Sequence, residues 1–215
     1  MNMPYTRREH LADATVHGVG VTTGVVGALW LLVTVFGRGG PLLLAAMGIY
    51  GFGLLAMLGF SAAYNLVADP ARREQLRTYD HAAIFVMIAG TYTPLALVAL
   101  KPGDGLGLFA FMWAAALGGG ALKLVWPRRF ERLSIAAYLV LGWTFLWMWK
   151  PLIAAIPPTG IWLLLAGGAL YTAGVGFHLA RRMSYHNALW HALVLAAAAC
   201  HYAVILRYVA MPAVG

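Results

Sequence analysis

The chain has 215 residues, of which 62% are hydrophobic and 10% charged, with a mean hydropathy of +0.77. A soluble domain carries roughly 25% charged residues, and this much apolar surface cannot hide in one core, so a secreted, nuclear or ordinary cytosolic globule is excluded. The 15 Lys and Arg against 7 Asp and Glu give a net charge of +8. These cations stand in the loops between apolar runs, as in membrane proteins, and no basic stripe interleaved with aromatics points to nucleic acid.

In chain order, Arg7, Arg8, Glu9 and His10 precede an apolar run at 15–36. That run is too long for a signal peptide's apolar region and no A-x-A-like cleavage site follows, so it reads as a retained first transmembrane helix. Further runs occupy 41–68, 81–100, 105–126, 133–149, 159–180 and 187–206. Each can cross roughly 30 Å of hydrocarbon at 1.5 Å per residue, with modest tilt or thinning. Turn compositions such as Gly37-Arg38-Gly39-Gly40-Pro41 and Lys101-Pro102-Gly103-Asp104-Gly105 separate them. The fifth run is the shortest, and its end falls on either side of Lys150-Pro151. Pro94 in Thr91-Tyr92-Thr93-Pro94 predicts a kink in the third helix, with the threonines bonding freed carbonyls. The ten-residue alternation of a β-barrel is absent. Cys200 is the lone cysteine, which leaves no intrachain disulfide and no CxxC site. The expectation is an all-α polytopic membrane protein, one seven-helix domain over residues 1–215.

Charge counting gives the orientation. With the N-terminus inside, the inner side holds Arg7, Arg8, Arg72, Arg73, Arg77, Lys123, Arg128, Arg129, Arg132, Arg181 and Arg182, and the outer side Arg38, Lys101, Lys150 and Arg207. That is 11 against 4, and it predicts a cytoplasmic N-terminus and an outside C-terminus.

In that frame the polar residues of the spans collect at the inner end. They are Asp13 and His17, Ser61 and Asn65, Asp80 and His81, His178, and His186, Asn187 and His191. Asp13/His17, Ser61/Asn65 and Asn187/His191 are i, i+4 pairs, so each pair shares a helix face. Any one of them could simply cap a helix or bond a neighbour, and Asp80 fits an N-cap of the third helix. As a set at one depth, where polar groups are costly, they predict a polar cavity.

Three segments carry a family resemblance. Glu9-His10-Leu11-Ala12-Asp13-Ala14-Thr15-Val16-His17-Gly18, Tyr79-Asp80-His81-Ala82-Ala83-Ile84 with Ile88-Ala89-Gly90-Thr91-Tyr92-Thr93-Pro94, and Ala188-Leu189-Trp190-His191-Ala192-Leu193-Val194-Leu195 resemble the bacterial hemolysin III branch of the progestin and adipoQ receptor family. That family is grouped with alkaline ceramidases. The resemblance spans nearly the whole chain and implies seven helices, an inner-membrane location and a role in membrane-lipid homeostasis, with membrane lipids, a lipid amide or a fatty acid as ligand. It also implies zinc near the cytoplasmic side, held by a Ser-x3-His histidine of the second helix and a His-x3-His pair of the last, with an Asp of the third helix on the zinc-bound water.

The chain departs from that pattern. Ser61, Asp80 and His191 are in place, but the other two ligand positions are Asn65 and Asn187. A carboxamide oxygen is a weak zinc ligand where imidazole is a good one. On a regular helix His186 diverges from His191, because five residues turn it through about 500°; His17 and His81 could substitute, and so could His186 if the helix start unwinds. The favoured expectation is a metal-free polar cavity of Ser61, Asn65, Asp80, Asn187 and His191. The alternatives are a zinc-dependent lipid amidase, with His191 as ligand, Asp80 as base and Ser61 polarising the carbonyl, and a proton or ion pathway through Asp13, His17, Asp80 and His81.

Overall fold

The computed structural model describes residues 6–212. Residues 1–5 and 213–215 of the expected 1–215 domain lie outside the described residues. Among the described residues the chain is all-α, with seven helices long and apolar enough to cross a membrane. These are α1 (Arg7–Val35), α2 (Pro41–Leu66), α3 (Pro70–Pro94), α4 (Pro102–Val125), a fifth span made of α5 (Glu131–Gly142) and α6 (Trp149–Ala155), α7 (Pro158–Leu179) and α8 (His186–Val204). Four of the helices begin on proline, where the missing N–H has no helical partner to lose.

Two helices, α1 and α3, outrun their apolar stretches at the polar end by eight and eleven residues. α3 starts at Pro70 with Asp69 as its N-cap, Asp69 Oδ1 accepting from the Ala71 N–H at 2.9 Å. Asp80, expected as a cap, therefore lies ten residues inside the helix. The reason is local: Arg72, Arg73, Glu74, Gln75 and Arg77 are adequate helix formers and carry the helix past the apolar run. Arg77 Nη1 then donates to Glu131 of α5 at 2.6 Å, and Arg128 Nε to Glu74 at 2.9 Å.

Elsewhere the bundle is held by close backbone approach. A Cβ on Gly53 would sit 3.2 Å from the Val86 carbonyl oxygen, and one on Gly90 3.4 Å from that of Ile49. α2 and α3 thus pack backbone close to backbone, an approach that small residues favour. Leu31, Met47, Tyr50 and Met112 fill the centre. Near Pro94, Thr91 and Thr93 hydroxyls bond the Met87 and Ala89 carbonyls at 2.8 Å, and the chain continues as a π turn over Leu95–Ala99. The fifth span breaks into a 3₁₀ turn at Thr144–Met148. Tyr92 pins that break, its hydroxyl donating to the Gly142 carbonyl and accepting from the Phe145 N–H, both at 2.9 Å. Pro151 falls in the first turn of α6, so the span continues through Lys150-Pro151 to Ala155.

Candidate functional site

α1 and α8 start at the same end of the bundle and run side by side, tied turn by turn. The Thr6–Glu9 capping box starts α1. Glu9 Oε1 also accepts from the N–H of Tyr185, the residue before α8, at 2.9 Å. One turn on, Asp13 Oδ2 accepts from Asn187 Nδ2 at 2.9 Å, and Asp13 Oδ1 lies 2.8 Å from His191 Nδ1. One turn further, the His17 ring meets that of His191 at 4.2 Å between centroids, with His17 Nε2 at 3.6 Å from Asp13 Oδ1. α2 closes the third side: Asn187 Nδ2 donates to Asn65 Oδ1 at 3.1 Å, Asn65 Nδ2 to the Ser61 carbonyl at 2.9 Å, and Ser61 Oγ stands 3.5 Å from His191 Nε2. The three i, i+4 faces converge on one buried cluster.

Two cavities share walls beside it. An apolar one of about 120 Å³ lies among α3, α5, α7 and α8, with Ser61 of α2 at its polar end, and is walled by residues such as Ile88, Gly142, Trp143 and Gly168. A polar vestibule of about 380 Å³ lies at the end where α1 and α8 begin, bordered by Asp13, Asn65, Arg77 and Lys123 among others. Asp80 and His191 line both. His81 and His186 border the vestibule, without a bond to the cluster among the described hydrogen bonds. The His81 carbonyl accepts from the Tyr138 hydroxyl at 2.8 Å. Lys123, counted from sequence only as a loop cation, is 2% exposed and donates to the Arg129 carbonyl at 3.4 Å. Its place inside the apolar run 105–126 was the available signal. The apolar cavity had none, because its walls are aromatic and small residues indistinguishable from packing.

The donor sets differ in their fitness for a metal. Asn65 and Asn187 bond each other, and Asn187 directs N–H groups to Asn65 and Asp13. With one imidazole beside two amides, the positions that resemblance assigns to zinc do not fit it. Asp13, His17 and His191 do offer a fitting set: one carboxylate oxygen and two imidazole nitrogens within 4.8 Å of one another, all buried. This cluster could hold a metal ion.

Comparison with known proteins agrees in one direction. Residues 5–202 match the family model described as haemolysin-III related. The chain is 34% identical to a hemolysin-3 homolog of Bacillus subtilis (strain 168), over 95% of this chain and 96% of that protein. It is 33% identical to hemolysin-3 of Bacillus cereus, over 94% and 92%. The human monocyte to macrophage differentiation factor is 26% identical, over 93% of this chain and 84% of its own. No solved structure matches.

Proposed function

The chain belongs to the haemolysin-III-related family, and on that premise we propose that it serves membrane-lipid homeostasis in the bacterial inner membrane by taking up a lipid with one acyl chain. One observation carries this: an apolar cavity inside the bundle and a polar vestibule at its end share Asp80 and His191 as walls. That sequence of environments suits an amphiphile, with its chain among Ile88, Gly142 and Gly168 and its polar group at Ser61, Asp80 and His191. The vestibule, in the N-terminus-inside orientation, faces the cytoplasm.

The cavity can be filled selectively. Gly142 lines it, and a Cβ there meets nothing within 4 Å. The Gly142→Leu chain should fold as before and lose co-purifying fatty acid or lipid amide, measured by mass spectrometry after extraction in mild detergent. Undiminished lipid in the variant, or none in the unmodified chain, would refute the proposal.

A second reading, zinc-dependent hydrolysis of a lipid amide, is favoured by the Asp13/His17/His191 cluster, of which His191 walls the apolar cavity and Asp13 the vestibule. Zinc bound there would lower the pKa of a water ligand toward neutrality. Asp80 would accept the proton from the attacking water, and Ser61 Oγ would donate a hydrogen bond to the amide carbonyl. Trp190 and Tyr138, which wall both cavities, would keep bulk water from the acyl side.

A further inference from the structure

Two imidazole nitrogens aim at one buried carboxylate oxygen. His191 Nδ1 is 2.8 Å and His17 Nε2 3.6 Å from Asp13 Oδ1. A simple hydrogen-bonded network accounts for the first contact and leaves the second unexplained, because His17 Nε2 is buried and has no hydrogen-bond partner among the described residues. His17 as a whole is 5% exposed. A buried ring nitrogen without a partner is costly, and native structures keep few of them.

We propose that Asp13 Oδ1, His17 Nε2 and His191 Nδ1 form a three-ligand site for a divalent transition metal of the zinc class. The spacing fits, since bonds of about 2.0–2.2 Å in a tetrahedron set neighbouring donors roughly 3.3–3.5 Å apart, and the two measured separations bracket that value. One donor atom from each of the three residues lies within 4.8 Å of the other two. Two ligands come from one face of α1 and the third from α8, so the Glu9–Tyr185 tie that sets these helices in register also sets the site. Each ligand has support behind it. Asn187 holds Asp13 Oδ2, and Ser61 faces His191 Nε2, where its hydroxyl can accept the ring N–H once Nδ1 binds metal. Asn65 and Asn187 thus become the outer layer of a site whose ligands stand on α1 and α8. Asp13 and His191 also border the vestibule, which admits the ion and leaves a fourth position for water. Metal binding here stands whether or not the cavity takes a lipid; the hydrolytic reading rests on it.

The test uses the full chain in detergent, titrated with zinc and, separately, with cobalt(II), followed by elemental analysis. One metal per chain is expected, with the visible absorption of four-coordinate cobalt(II). His17→Gln and Asp13→Asn should each weaken zinc by more than the 10–100-fold that loss of an outer partner such as Asn187 costs. His81→Gln and His186→Gln should bind as the unmodified chain does. Failure of the unmodified chain to take up stoichiometric zinc or cobalt overturns the proposal without recourse to any variant. So does binding that survives a folded His17→Gln chain but is lost in His81→Gln or His186→Gln. Zinc bound without lipid would sustain this site and refute the lipid cavity; lipid retained without zinc would do the reverse.

Discussion

His191 has both ring nitrogens engaged, Nδ1 on Asp13 and Nε2 toward Ser61, and it touches both cavities. Asp80 shares those walls but stands on α3, off the α1–α8 ladder, so in the hydrolytic reading the proton acceptor would be separate from the residues proposed to hold the metal. The two roles make different demands. Asp80→Asn keeps the side chain's shape and removes the basic oxygen, so cleavage of a fluorescent acyl amide in lipid nanodiscs should fall by about 10²–10⁴-fold, the usual contribution of a positioned general base. Zinc content should not change. Cleavage at the unmodified rate would remove Asp80 from the chemistry. At this scale the sequence spoke through spacing: the pairs Asp13/His17, Ser61/Asn65 and Asn187/His191 each announce a face. It could not say which faces meet. Asp13 and His191 are 178 residues apart, and His81, equally eligible by depth and type, ends in the vestibule wall.

The helices show why depth was legible and partnership was not. Hydropathy marks where a segment enters hydrocarbon, but a helix ends where its caps and charged turns end, so α3 begins at Asp69-Pro70 and Asp80 becomes an interior residue. The break in the fifth span is set from outside it, by Tyr92 of α3, and no local pattern encodes it. The register of α1 against α8 likewise depends on long-range contacts, the Glu9 carboxylate on the Tyr185 N–H and Asp13 on Asn187 and His191. Glu9→Ala removes that bond together with half of the capping box. The loss of the cap alone is worth about 0.5–2 kcal/mol, and the exposed end of a helix frays first. Amide hydrogen exchange should therefore accelerate over the first two turns of α1 and at Tyr185, by about tenfold for each 1.4 kcal/mol, while α2 and α3 around Gly53 and Gly90 keep their protection. Unchanged exchange in α1 would show that the register is held elsewhere.

At the scale of the molecule, one end of the bundle is polar, hollow and chemically equipped, and the rest is apolar packing around a narrower cavity. Composition announced the bundle, since an apolar chain with seven spanning runs has few other folds. It was silent on the cavity, because Gly142, Gly168, Tyr138 and Trp143 are also what an ordinary interhelical contact is made of. Which compartment the polar end faces is an expectation that rests on charge. The Lys and Arg residues favour a cytoplasmic N-terminus by 11 to 4, and Asp13, Asn65 and Asn187 then open to the cytosol. Two loops suffice to check it. In a chain whose single cysteine, Cys200, is changed to Ser, a Lys101→Cys thiol between the π turn after α3 and α4 should react with a membrane-impermeant maleimide on intact spheroplasts. An Arg128→Cys thiol between α4 and α5 should react only after permeabilisation. The reverse pattern would turn the molecule over and place the vestibule on the outer face. A metal held as proposed by Asp13, His17 and His191 would then come from the periplasm or medium rather than from the buffered cytosol.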